Sequence, residues 1–214
     1  MRIADFLRGG SRSVELDLLD NLFLMADPER FDSTLASRVL YEFGTLSKAL
    51  AADLHELERI KGVEGPIIAA MTLVASITQQ SLRTQASAQP VINDWSALLA
   101  YLHVTMANLK SEQFRIMFLN CRFMIIRDEV LGYGTVDHAP AYPREVIKRA
   151  LELGATGVVL VHNHPSGDPE PSRDDIYITR NIIEAGRHVS VKVIDHVIIS
   201  ASGYRSLREG GMLG

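Results

Sequence analysis

The chain has 214 residues, 47% of them hydrophobic and 22% charged, with a formal net charge of −4. That composition belongs to an ordinary soluble globular protein and excludes disordered and fibrous classes. The acidic balance argues against a broad phosphate-contacting face. Apolar runs such as Val158 to Val161 fall far short of the ~20 residues of a membrane span, and Met1 to Gly10 lacks a signal-peptide core, so the sequence reads as cytoplasmic with no membrane partner. The single cysteine, Cys121, excludes an intrachain disulfide and a Cys-rich zinc knuckle, leaving seven histidines and the carboxylates as candidate metal ligands.

Residues 14–25, 33–42, 46–52, 54–60 and 67–82 carry apolar side chains at spacings of three and four, which predicts five helices. The connection Lys61-Gly62-Val63-Glu64-Gly65-Pro66 is short, with glycines free to take positive φ and Pro66 suited to a first helical turn. Residues 83–90 lose the periodicity and read as a linker, dividing the chain into a small all-α domain, 1–85, and a larger domain, 90–214. Residues 1–85 hold 9 Lys/Arg against 12 Asp/Glu and residues 86–214 hold 13 against 14, so neither part is basic.

Past the linker, Asp94 is placed to cap a helix reaching Met106. Residues 114–119 and 123–129 are rich in β-formers and flank Asn120-Cys121-Arg122, which predicts a hairpin. Residues 143–153 read as a helix closed by Gly154, and 158–161 as a strand buried on both faces. A second helix over 172–188 precedes two extended runs, 189–194 and 196–200. The order β-β-α-β-α-β-β predicts a three-layer α/β domain with a mixed sheet.

The densest chemical signal runs from His162 to Asp175. Residues two apart on a strand share a face, so His162 and His164 present both imidazoles to one point. Pro165, Gly167, Pro169 and Pro171 turn the chain stiffly toward a helix start at Ser172. Asp175 then projects from the first helical turn, where a negative charge is favoured. Two imidazoles and one carboxylate leave a fourth tetrahedral position open, as catalytic zinc sites do. Ser172-x-x-Asp175 is equally a capping box, a reading that competes with metal ligation for Asp175 and coexists with a chemical role for Ser172. A carboxylate is needed to take a proton from the attacking water. Glu129, expected where an extended segment ends, and its neighbour Asp128 both qualify on periodicity. His138 and His196 are candidates to support the ligands from behind, whereas His55, His103 and His188 read as plain surface or core residues.

The pattern His162-x-His164, seven residues, Ser172, two residues, Asp175 resembles the JAMM motif of MPN-type metallopeptidases and deubiquitinases. Asp128-Glu129-Val130-Leu131, Tyr142-Pro143-Arg144-Glu145-Val146, Val161-His162-Asn163-His164-Pro165-Ser166-Gly167-Asp168-Pro169 and Asp195-His196-Val197-Ile198 are similar to the bacterial RadC family, over roughly residues 90–214. The resemblance implies a JAB/MPN fold, akin to the cytidine-deaminase architecture, and a Zn2+ site with His162, His164 and Asp175 as ligands. It further implies Glu129 rather than Asp128 as general base, Ser172 as oxyanion stabiliser, and hydrolysis of an amide in a protein or peptide substrate. A deaminase is excluded because its Pro-Cys-x-x-Cys signature needs two cysteines.

The N-terminal region resembles the helix-hairpin-helix domain of RadC proteins, which implies an alternative role as a DNA-associated repair or recombination factor. In that motif a Gly-hydrophobic-Gly turn offers N–H groups to phosphate. Here the turn reads Gly62-Val63-Glu64-Gly65, and Glu64 puts a negative charge where phosphate would sit. Charge and Glu64 together disfavour nucleic acid as a partner.

Overall fold

The computed structural model of the protein describes residues 11–134 and 141–213. By contact density the chain divides into two compact units, residues 1–80 and 81–214. The helices are α1 Ser11–Ala26, α2 Leu35–Phe43, α3 Leu46–Ala51, α4 Leu54–Glu58, α5 Gly65–Ser87, α6 Trp95–Met106, α7 Pro143–Glu152 and α8 Arg173–Arg187. The strands are β1 Gln113–Leu119, β2 Ile125–Tyr133, β3 Gly157–Asn163, β4 Lys192–Ser200 and β5 Gly203–Ser206. No helix among the described residues is long and apolar enough to cross a membrane.

The described part of the first unit is helical, packed around Leu19, Phe23, Val39, Leu40, Val63 and Met71. Its short helices need local help to start. Thr45 caps α3 by accepting from the Lys48 N–H, and Asp53 and Glu56 form a reciprocal capping box on α4. Gly62 takes φ +94° in the turn before α5, a backbone setting that side-chain-bearing residues rarely adopt. The linker expected at 83–90 is helical over most of its length, because α5 continues to Ser87. Polarity alone does not stop a helix, and no Gly or Pro interrupts the chain between residues 67 and 89.

The second unit is built on a five-stranded mixed sheet in the order β2-β1-β3-β4-β5. Only β3 and β4 run parallel; β2 with β1, β1 with β3 and β4 with β5 are antiparallel. All seven residues of β3 are buried, which fits a central strand covered on both faces. One face carries Met117, Leu119, Val159, Val161, Val197 and Ile199 against Leu98, Leu102 and Met106 of α6. The other carries Phe114, Ile116, Phe118, Val158 and Leu160 against Val146 and Ala150 of α7 and Ile182 of α8. Burying each such aliphatic side chain contributes roughly 1.5–3 kcal/mol. Gly186 of α8 lies so close to the Val191 carbonyl that a Cβ would stand 2.3 Å from that oxygen.

Two strand readings change. β2 begins at Ile125 because Phe123 is used in the turn at φ +60°, where Asn120 Oδ1 accepts from the N–H groups of Arg122 and Met124. β2 then continues to Tyr133, so Glu129 stands mid-strand and not at its end. The two extended runs at 189–194 and 196–200 also resolve differently: 192–200 is one strand, and β5 follows it across a tight turn. Asp195 reads as a break in sequence, yet it is buried inside β4. Its carboxylate accepts from the His196 N–H, the Arg208 N–H and the Ser206 hydroxyl.

Candidate metal centre

Sheet order brings the site residues together. β3 ends at Asn163, and the His164 N–H still bonds to the Ile199 carbonyl of β4, which keeps His164 in extended register with His162. The loop then turns through His164 to Gly167, closed by a Gly167 N–H bond to the His164 carbonyl, with Gly167 at φ +90°. It returns to Ser172, the N-cap of α8.

One ligand atom each from His162, His164 and Asp175 lies within 4.8 Å of the others. The two Nε2 atoms are 2.9 Å apart, and Asp175 Oδ1 is 3.1 Å from His162 Nε2 while Oδ2 is 3.6 Å from His164 Nε2. His162 is buried and the other two half-buried. Burial by itself raises the Asp175 carboxyl, but the adjacent His162 and His164 imidazoles, with the bonds from Ser172, outweigh it and hold the group well below the usual range. The His164 imidazole is raised, first by Asp175, against burial, with the Asp168 carbonyl and the Glu112 charge adding to the effect.

The donor set fits a cation. The Asp168 carbonyl, 2.8 Å from His164 Nδ1, can only accept, so Nδ1 carries the proton and Nε2 keeps its lone pair toward the cluster. A lone pair and a carboxylate facing one small volume call for a positive charge between them. Imidazole and carboxylate together suit zinc.

A family model described as the RadC-like JAB domain matches residues 92–212. A UPF0758 protein of Rhodobacter capsulatus is 40% identical over 209 residues, covering 97% of this chain and 98% of its own. The chain belongs to the RadC family. Within its JAB-like domain, capping and clustering at Asp175 do not compete, contrary to the expectation from sequence. Oδ2 accepts from the Ser172 N–H and hydroxyl, both at 2.7 Å, the Asp175 N–H donates to Ser172 Oγ, and Oδ1 faces His162. The Ser172 hydroxyl proton is therefore engaged by Asp175.

Glu129 and Asp128 point to opposite faces. Asp128 accepts from the Tyr101 hydroxyl of α6, whereas Glu129 shares the face of Ile116 and Leu160. That is the His162 face, but Glu129 is two strands from β3 and does not join the three-residue cluster. Arg149 of α7 donates to both its carboxylate oxygens, Nε to Oε2 at 2.7 Å and Nη2 to Oε1 at 2.5 Å. This pairing holds the Glu129 carboxyl below its usual value.

Three residues that sequence alone does not single out lie around the cluster. Glu112 precedes β1 and matches the parity of Phe114, which pairs with His162. Asn163, between the histidines and almost wholly buried, brackets it: Nδ2 donates to the Ser111 carbonyl at 3.1 Å and Oδ1 accepts from the Gln113 N–H at 2.9 Å. The available signal was the i, i+2, i+4 spacing of Glu112, Phe114 and Ile116, which puts an acid at the head of an inward-facing row. Thr179, one turn beyond Asp175, touches His196. His196 itself is fully buried behind His162, and burial, then the neighbouring His162, pushes its imidazole well down. His138 lies outside the described residues. His55, His103 and His188 are exposed on the surface.

Proposed function

We propose that this RadC protein is a zinc-dependent metallohydrolase that cleaves an amide in a protein or peptide, as a peptidase or isopeptidase. The observation that carries the reading is the convergence of His162, His164 and Asp175 on one volume, with the Asp168 carbonyl 2.8 Å from His164 Nδ1, so that the neutral ring directs an Nε2 lone pair at the cluster. A zinc ion held by these three residues would polarise the substrate carbonyl and make water acidic enough to attack it near neutral pH.

The remaining work falls to the chain's own side chains. A general base must stand at the cluster and be able to accept a proton, then return it to the leaving nitrogen. Glu112 suits this better than Glu129. Asn163 fixes the backbone on both sides of Glu112, and the Glu112 charge reaches His164. Glu129 is occupied at both oxygens by Arg149, which opposes protonation. Ser172, exposed at the rim, is suited to donate to a developing oxyanion once its hydroxyl turns from Asp175. Asp175 stays ionised and aligns His162.

Zinc content and turnover of a quenched-fluorescent peptide library test the proposal. Full-length protein is expected to hold about one zinc and to cleave, and His162→Ala and His164→Ala to lose the metal. Glu112→Gln keeps zinc and loses roughly 10²–10⁴-fold in rate, the usual worth of a general base, while Glu129→Gln stays near the parent. The opposite pattern returns the base to Glu129. Fully loaded protein that cleaves neither the library nor an isopeptide-linked substrate rejects the hydrolase reading.

A further inference from the structure

Behind the cluster runs a line of hydrogen bonds whose proton positions are dictated by one backbone carbonyl. Thr179 lies four residues after Asp175, so both project from the same side of α8. Its Oγ1 is 2.5 Å from the Asp175 carbonyl oxygen and 2.5 Å from His196 Nδ1. His196 sits on β4, on the face of Ile198, which pairs with His162 across the parallel β3–β4 ladder. Its Nε2 is 2.8 Å from His162 Nδ1.

We propose that Thr179 and His196 are positioning residues that lock His162 into its Nδ1–H tautomer, leaving the Nε2 lone pair aimed at the cluster. The inference rests on the metal-centre reading above. A carbonyl only accepts, so the Thr179 hydroxyl proton is committed to Asp175. Thr179 Oγ1 can then approach His196 Nδ1 only as an acceptor, and Nδ1 must carry hydrogen. His196 is wholly enclosed, and its ring nitrogens meet only a hydroxyl and another imidazole. A charged ring is disfavoured there, and the neutral ring has no second proton to give. Nε2 of His196 is thus an acceptor, His162 Nδ1 is its donor, and His162 Nε2 is bare.

The same outcome is reached at His164 by a shorter route, through the Asp168 carbonyl. Two independently fixed lone pairs end 2.9 Å apart beside a carboxylate. Without the line, the His162 proton could settle on Nε2, blocking the ligand atom and costing a tautomer exchange at each binding event. Phe114 holds the two rings in place, stacked on His162 at a centroid distance of 6.2 Å and edge-on to His196 at 5.7 Å. Metal-ligating histidines ordinarily have their second nitrogen fixed by a carboxylate, carbonyl or water; here an imidazole serves, itself fixed through a hydroxyl by the ligand helix.

The test uses the full-length protein. Long-range ¹H–¹⁵N spectra of metal-free protein at about pH 8, where free imidazoles are neutral, are expected to show Nδ1–H on both His162 and His196. Thr179→Val keeps the side-chain shape and removes the hydroxyl. It is expected to shift His196 toward Nε2–H and to weaken zinc binding roughly ten- to a hundredfold, whereas Thr179→Ser restores both readouts. Nε2–H on either histidine in the parent overturns the proposal, with or without zinc binding. So does parental zinc affinity in Thr179→Val. A parent that binds no zinc while showing both Nδ1–H tautomers rejects the metal reading and leaves the tautomer lock standing.

Discussion

Replacing Asp175 with alanine separates its capping bonds from the metal ligation proposed for the same side chain. In metal-free protein the loss has a local source: the Asp175 carboxylate's half of the capping box goes, with the bonds from the Ser172 N–H and hydroxyl, while the backbone N–H of residue 175 still donates to Ser172 Oγ. The two lost bonds are charge-assisted, at a side chain only 17% exposed, and together are worth about 1–3 kcal/mol. At ~2–4 °C per kcal/mol for a chain of this size, melting falls by about 2–12 °C. Zinc gives the second signature. At a free concentration of about 100 times Kd, ligand binding stabilises the parent by about 2.7 kcal/mol, a rise of roughly 5–11 °C. The variant keeps two protein ligands and is expected to show little of that rise. Differential scanning fluorimetry with and without zinc reads both effects in one experiment. An unstable variant whose zinc-induced rise equals the parent's would refute ligation by Asp175 and leave only the cap.

Other perturbations bear on the same framework. His164 is raised above the ordinary imidazole value of 6.5, so a proton competes with metal as pH falls through that raised value; zinc affinity by competition titration should weaken on acidification. For metal-free protein the sign is opposite: this group's contribution to stability is complete below 6.5 and is lost as pH rises through the raised value, which urea melts at several pH values would detect. Gly186→Ala forces a Cβ to 2.3 Å from the Val191 oxygen and should destabilise by about 1–3 kcal/mol in chemical denaturation. Fluorescence anisotropy with duplex DNA should give Kd weaker than about 10⁻⁴ M at physiological salt for the full-length protein, because Arg30 is paired with Glu64 beside the Gly62 turn. Glu64→Gly should tighten binding; micromolar binding by the parent with a steep salt slope would restore the DNA-associated reading.

Local chemistry was legible and long-range chemistry was not. The period-two spacing of His162 and His164, the Ser172–Asp175 box and the Asp94 cap each depend on residues within four positions, and each appears as its residues suggest. The end of α5 was misplaced because exposed polar residues are compatible with helix as well as linker. β4 was split at Asp195 because nothing nearby in sequence announces that Ser206 and Arg208 satisfy a buried carboxylate from the far side of a turn. β5 escaped notice for a related reason: four residues, two of them exposed, carry no apolar alternation, and only pairing with β4 makes them a strand.

The acid at the site shows most clearly how topology decides chemistry. In sequence Glu129 had the stronger claim, since it followed an apolar segment expected to end there. Once β2 runs on to Tyr133, the same residue becomes one rung of an edge strand, and α7 supplies Arg149 to pair with it. Glu112 gains its place from the opposite circumstance. It lies before a strand, in a polar stretch, 50 positions from His162, and its one local mark is the period-two spacing with Phe114 and Ile116. Because β1 lies directly against β3, with Phe114 opposite His162, the residue two before Phe114 is carried to the level of His164. Asn163 then grips the chain on both sides of it. The antiparallel pairing of β1 with β3 is thus the step that converts an ordinary surface glutamate into a candidate base. Substitutions that weaken Asn163 should accordingly act on turnover through Glu112 before they act on zinc binding, a split that Asn163→Ala kinetics with matched zinc contents would reveal.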